Sequence, residues 1–117
     1  MSYKLALLVL TDLGMSKGKI VAQTGHEIVD AVLPVEEIHK NKIQKWRTTG
    51  ETIVALKVKN EKTLMTLMEI AGRKNVACGY IMDAGYTEVA PGTITVGFVG
   101  PDTEVKINKL IGQLKCL

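Results

Sequence analysis

Cysteine is scarce in this chain, and no stretch of it is apolar for long. The two cysteines, Cys78 in an apolar stretch and Cys116 at the tail, form neither a metal-ligand spacing nor a disulfide framework. His26 and His39 are not spaced with Cys, Asp or Glu as zinc ligands would be. The longest apolar run, Leu5 to Leu10, has strand length and falls far short of the ~20 residues a membrane span needs. Thr11-Asp12 then interrupts any secretory-signal pattern, so a cytoplasmic protein is expected. No G-x-S-x-G elbow is present, which leaves a serine hydrolase without its nucleophile. No G-x-G-x-x-G follows the first apolar run, which argues against a dinucleotide cofactor. The segment from Gly14 to Lys19 is one residue short of a P-loop and has Ile20 where Ser or Thr belongs, so nucleoside triphosphate hydrolysis is not indicated. Repeats, low-complexity tracts and linkers are also missing.

What is present is a globular composition, 46% hydrophobic against 23% charged, in 117 residues: enough for one core and too few for two. The net charge of +3 leans mildly towards anionic partners. Strand-like runs near 4–10, 52–58, 76–82 and 93–99 alternate with helical periodicity near 17–33, 36–47, after Asn60 and after Asp102. The order β-α-α-β-α-β-β-α predicts a single α/β domain over 1–117, three-layered, with a four-stranded mixed sheet and helices on both faces. The run 76–82 is read as a buried strand and Asp102 as the cap of the last helix.

The stretch YIMDAGYTEVAPGTITV, Tyr80 to Val96, organises the rest. Asp83 sits just past the apolar run, Gly85 suits a tight turn, and Pro91-Gly92 makes another. Strict alternation would put Ile94, Val96 and Phe98 on one face of the next strand and Thr93 and Thr95 on the other. In the first helix, capped by Ser16, Lys19, Gln23, His26 and Asp30 fall within about 60° of one another, and the remaining circumference is mostly apolar or small. Lys17 and Lys19 occupy the first turn, where the helix end is already positive, so an anion or carboxylate is expected in front of it. Asp83 is the carboxylate at hand, and at the C-terminal edge of a parallel sheet the two would converge. The lysine would favour the ionised carboxylate or stabilise charge developing on an ester carbonyl, and the carboxylate could orient or deprotonate water. A structural ion pair at a strand end fits the same residues. Ile38, Ile43 and Trp46 are expected inward on the second helix, leaving a basic face of Lys40, Lys42, Lys45 and Arg47 that suits either solvent or a phosphate backbone.

The motifs DAGYTEVAPGT and SKGKIVAQTGH at residues 16–26, with the ending IGQLKCL, resemble the archaeal and eukaryotic (class II) type of peptidyl-tRNA hydrolase, over nearly the whole chain in the right order. The resemblance implies hydrolysis of the ester joining a peptide to the 3′ end of tRNA, in the cytoplasm, with tRNA as partner, a homodimer as a frequent state and no cofactor or metal. It implies catalytic roles for Lys19, Asp83, Thr87 and Thr95, with Lys17, Gln23, His26 and Tyr86 on the substrate side. It also implies the hydrolase domain alone, without the N-terminal anchor of some eukaryotic members. Tyr86 stands where the family usually has Arg or Lys, Glu88 where Gln is usual, and Gly14 and Ser16 replace Lys and Gly. These departures should weaken phosphate attraction at the rim. Two further readings are a non-catalytic RNA- or protein-binding module on the same fold and a small-molecule ester hydrolase.

Overall fold

The computed structural model describes residues 2–33, 36–84 and 89–117. Its elements are β1 (Tyr3–Leu10), α1 (Lys17–Val32), α2 (Glu37–Thr48), β2 (Ile53–Val58), α3 (Glu61–Arg73), β3 (Cys78–Met82), β4 (Ile94–Thr103) and α4 (Glu104–Ile111), in the expected order. The strands form one mixed sheet in the order β2-β1-β4-β3, with β1 and β2 parallel and β4 antiparallel to both β1 and β3.

The apolar run of β1 follows from this placement: it lies between two neighbours and is covered on both faces. Leu5 and Leu7 point to one side, where they meet Phe98 with Ala31 of α1 and Trp46 of α2. Ala6, Leu8 and Leu10 point to the other, against Leu64, Leu67 and Met68 of α3 and Ile107 and Leu110 of α4. The architecture is therefore three-layered, with helices on both faces of the sheet. Asn60 caps α3 by accepting from the Thr63 backbone N–H at 2.9 Å. Gly72 lies within that helix; the reversal comes at Asn75, which takes a left-handed φ of 58°.

Several expectations change. β3 begins at Cys78 and is an edge strand, so Tyr80 and Met82 are exposed, and the run 76–82 is not a buried strand. Phe98 packs over Gly79 so closely that a Cβ there would stand 2.7 Å from a ring carbon, which only glycine permits. β4 does not stop at Val99; it runs on through Gly100, Pro101 and Asp102. Asp102 does not cap α4, because its carboxylate is buried and engaged by Lys42 Nζ at 2.6 Å and the Thr103 N–H at 2.7 Å. Thr103 takes the cap instead, its side chain accepting from the Lys106 N–H. Ile38 is exposed, while Ile43 and Trp46 are inward as expected. The tight turn expected at Gly85 lies outside the described residues.

Candidate active site

Ser16 starts α1: its Oγ accepts from the Lys19 backbone N–H at 3.2 Å, and no acid occupies the first turn. The cap fixes the rotation of the helix, and with it the line of side chains that meets the sheet. That line is Lys19, Gln23, Glu27 and Ala31, all buried. Ile28 and Val32 of the same helix pack against the Leu5–Phe98 cluster, while Val21 and Val29 are turned to solvent, 70% and 51% exposed. The helix thus buries three polar side chains, Lys19, Gln23 and Glu27, on the face that meets the sheet, where an amphipathic helix ordinarily places apolar ones. His26 and Asp30 are exposed and do not join the buried line, which corrects the stripe expected from angular position.

The partners that make this burial tolerable come from the far end of the sheet. Asp83 follows β3 and is held through both backbone groups: its N–H donates to Thr93 O at 2.8 Å, and its carbonyl accepts from Gly92 N–H at 2.9 Å. Its carboxylate forms an ion pair with Lys19 Nζ, the two side chains only 5% and 7% exposed. Water is largely displaced from this pair, so its attraction is stronger than at a surface and loss of either partner strands the other.

One turn along α1, Gln23 Nε2 donates to Thr95 Oγ1 at 2.7 Å. Alternation alone would turn Thr95 to the α3 side of the sheet, as it does Gly97 and Val99. The pairing between β3 and β4 shifts register at this point: Ile81 pairs with Val96 and Met82 with Ile94, so Thr95 is skipped. The bulge turns Thr95 towards α1 while Ile94 packs in the opposite core. Thr95 is fully buried and Gln23 nearly so, so this hydroxyl holds the amide from behind. Because the amide nitrogen donates, the Thr95 hydroxyl keeps its own proton for a further acceptor.

The structure thus brings Lys19, Asp83, Gln23 and Thr95 to one edge, with Lys17 exposed at the start of the same helix. Tyr86 and Thr87 lie outside the described residues. Among the described residues no group of three His, Cys, Asp or Glu side chains could hold a metal ion. Such an edge offers a carboxylate for water, an ammonium for developing negative charge and an oriented amide, the components of ester hydrolysis without a covalent intermediate.

Two inward-facing groups were missed from sequence. Glu27 continues the line of Lys19 and Gln23 at four-residue spacing, and neither of its carboxyl oxygens has a hydrogen-bond partner. Burial pushes its carboxyl up to about 8, and the neighbouring Asp30 adds to the rise. The spacing alone could have flagged it. Lys42, assigned to the basic face of α2, is instead turned inward to Asp102. On the same helix Lys40 pairs with Glu37 at 3.7 Å, and Arg47 with Glu51 at 3.2 Å. Most of that basic face is therefore neutralised locally, which disfavours a module that binds RNA through α2 alone.

Comparison with known proteins identifies the family. The model of the family described as peptidyl-tRNA hydrolase PTH2 matches residues 3–117. A Methanocaldococcus jannaschii protein named peptidyl-tRNA hydrolase is 39% identical over 114 residues, covering 97% of this chain and 99% of its own. Proteins of the same name from Sulfolobus acidocaldarius, 39% identical over 119 residues (97% of this chain, 99% of the relative), and Thermoplasma acidophilum, 34% identical over 114 residues (97% of each), are similarly related.

Proposed function

The chain belongs to the peptidyl-tRNA hydrolase PTH2 family, which makes it a hydrolase of the ester between peptide and tRNA, and we propose that Lys19, Asp83, Thr87 and Thr95 carry that reaction. The observation that supports these roles most directly is the buried ion pair of Lys19 and Asp83 beside the Gln23–Thr95 hydrogen bond. Asp83 orients a water against the ester carbonyl and accepts its proton as the oxygen attacks. Lys19 holds the carboxylate in place and stabilises the negative charge that develops on the carbonyl oxygen. Collapse breaks the bond to the ribose 3′ oxygen, which takes up the proton. The products are a free peptide acid and a tRNA with its 3′ hydroxyl restored. Thr95 positions Gln23, whose carboxamide faces the substrate side of the edge. Thr87, Tyr86, Lys17 and His26 enter through the family motif, Thr87 with a catalytic role and the others as contacts to the tRNA.

The assay is release of free tRNA from an N-blocked aminoacyl-tRNA, with and without a chelator. Turnover that survives chelation supports the reading, and absence of turnover overturns it. The same reading places the protein in the cytoplasm, where translation releases the substrate, and in a homodimer. The exposed Val21 and Val29 of α1 and Leu33 just after it support the dimer as an apolar face for a second copy. Light scattering of the purified chain measures it, and a monomer at micromolar concentration would count against it.

A further inference from the structure

Glu27 is fully buried on the helical line that carries Lys19 and Gln23, and both its carboxyl oxygens are without a hydrogen-bond partner. An isolated buried carboxylate is strongly disfavoured, so the site holds the neutral acid until the pH is raised. The elements packed against α1 are β1, β3 and β4, with Trp46 of α2 beside Ala31; on α2, Lys42 is taken by Asp102 and Arg47 by Glu51. On β1, the Lys4 ammonium is engaged by Asn108 at 2.8 Å and Glu104 at 3.7 Å, and Tyr3 packs beside the Phe98 cluster. On β3, the Cys78 thiol donates to Met68 O and Tyr80 is exposed. On β4, Asp102 is taken by Lys42. On α1 itself Lys19 is paired with Asp83 and His26 is exposed, while the Asp30 carboxylate lies close enough to Glu27 to raise its proton affinity. Among the described residues no ion pair reaches Glu27.

Residues four apart on a helix are neighbours, with Cβ atoms about 5–6 Å apart, so the Glu27 carboxyl and the Gln23 carboxamide lie within a rotamer change of each other. Gln23 has two donor hydrogens and one acceptor oxygen to distribute, and in the structure its nitrogen is turned to Thr95. We propose that Glu27 is a pH-sensitive positioning residue for Gln23, its neutral form leaving the Gln23 amide on Thr95 and its ionised form drawing that amide away. As the neutral acid, Glu27 keeps its proton, which the neighbouring Asp30 carboxylate favours, and leaves the Gln23 nitrogen to Thr95. Once ionised it is acceptor-only, and the Gln23 amide, one turn away on the same buried line, is a donor within its reach. The two hydrogen bonds then compete, and the edge loses the orientation that Thr95 gives it. The consequence for turnover rests on the function proposed above; the competition for the amide does not.

The experiment uses the full chain in two arms between about pH 6.5 and 9.5. One arm follows kcat/KM on an N-blocked aminoacyl-tRNA, with spontaneous ester hydrolysis subtracted, for the wild type, Glu27→Gln and Glu27→Leu. Wild-type kcat/KM is expected to fall about fivefold or more from pH 7 to 9, and the same ratio in Glu27→Gln to stay within about twofold. The other arm follows the Gln23 side-chain amide by nitrogen-15 NMR, which should titrate with a midpoint near 8 in the wild type and not in Glu27→Gln. Matching alkaline limbs in wild type and variants overturn the proposal, as does a Gln23 amide that does not titrate. A wild type that titrates by NMR yet hydrolyses nothing overturns the assigned reaction while supporting the competition. If Glu27→Gln does not fold, Glu27→Leu and the wild-type titration decide.

Discussion

Lys42 reaches from α2 to the C-terminal part of β4, where its ammonium stands 2.6 Å from Asp102 Oδ2 and 3.0 Å from the Asn75 carbonyl. Asp102 is almost wholly buried, so this lysine neutralises an interior charge instead of presenting one to a nucleic acid. Lys42→Ala should therefore lower folding stability by about 3 kcal/mol, the effect of leaving a buried carboxylate unpaired. Chemical denaturation measures it. The tRNA affinity of the folded variant should change by less than about twofold, whereas Lys45→Ala, on the exposed face, should reduce the salt slope of binding by about one. A Lys42 variant of normal stability and poor tRNA binding would show that this side chain contacts the substrate.

The Gln23–Thr95 hydrogen bond gives a second expectation. Thr95→Val keeps the shape at a fully buried position and removes the hydroxyl, leaving the Gln23 amide without its partner. Turnover should fall by about tenfold or more through loss of orientation, with a smaller change in KM. Gln23→Leu should lower turnover too, and the double variant should be no worse than the worse single, because the two act as a unit. Steady-state kinetics on the four proteins tests this, and additive losses would argue for independent roles.

Glu27 links stability to pH. Its folded-state value of about 8 lies above the ordinary 4.5, so the folded protein holds this proton more tightly than the unfolded chain. The contribution is complete below the unfolded value and is lost as the pH rises through the folded one. Between about pH 5 and 8 the melting temperature of the wild type should fall by ~4 °C or more relative to Glu27→Gln measured in parallel. Parallel curves for the two proteins would show that Glu27 does not titrate in this window.

The fold was legible where a run of residues has one environment throughout. β1 is apolar because both of its faces are covered, and α3 declares its buried side at i, i+3, i+4 and i+7. The ion pair of Lys19 with Asp83 was also legible, because two lysines in a helix first turn call for a negative partner. The facing of α1 was not. A fixed angular window gathers Lys19, Gln23, His26 and Asp30, but the sheet meets the helix along the i, i+4 row, which drifts by about 40° at each step and selects Glu27 and Ala31. Hydrophobicity misleads there as well, since partners 64 and 72 residues away in the chain supply the contacts that bury Lys19 and Gln23. The facing of Thr95 depends on a bulge, and a single inserted residue has no period to detect. Gly100-Pro101 carries the composition of a turn yet lies inside β4.

The Lys19–Asp83 pair supports the sharpest prediction. Asp83→Asn preserves size and removes the charge that positions and activates water, so turnover should fall by about 10²-fold or more. Because the partner ammonium is buried, stability should fall as well, by about 3 kcal/mol. A mutation confined to a solvent-exposed acid would not have this second effect. Lys19→Met leaves the buried carboxylate uncompensated and should lower both quantities in the same way. The double variant has no buried charge to strand, so it should recover much of the lost stability while remaining as inactive as the worse single. Denaturation and single-turnover hydrolysis on the same four proteins separate the two effects. Recovery of stability without recovery of turnover is the expected signature of a pair that both holds the edge together and carries the chemistry. A folded Asp83→Asn protein with near-normal hydrolysis would remove Asp83 from the reaction.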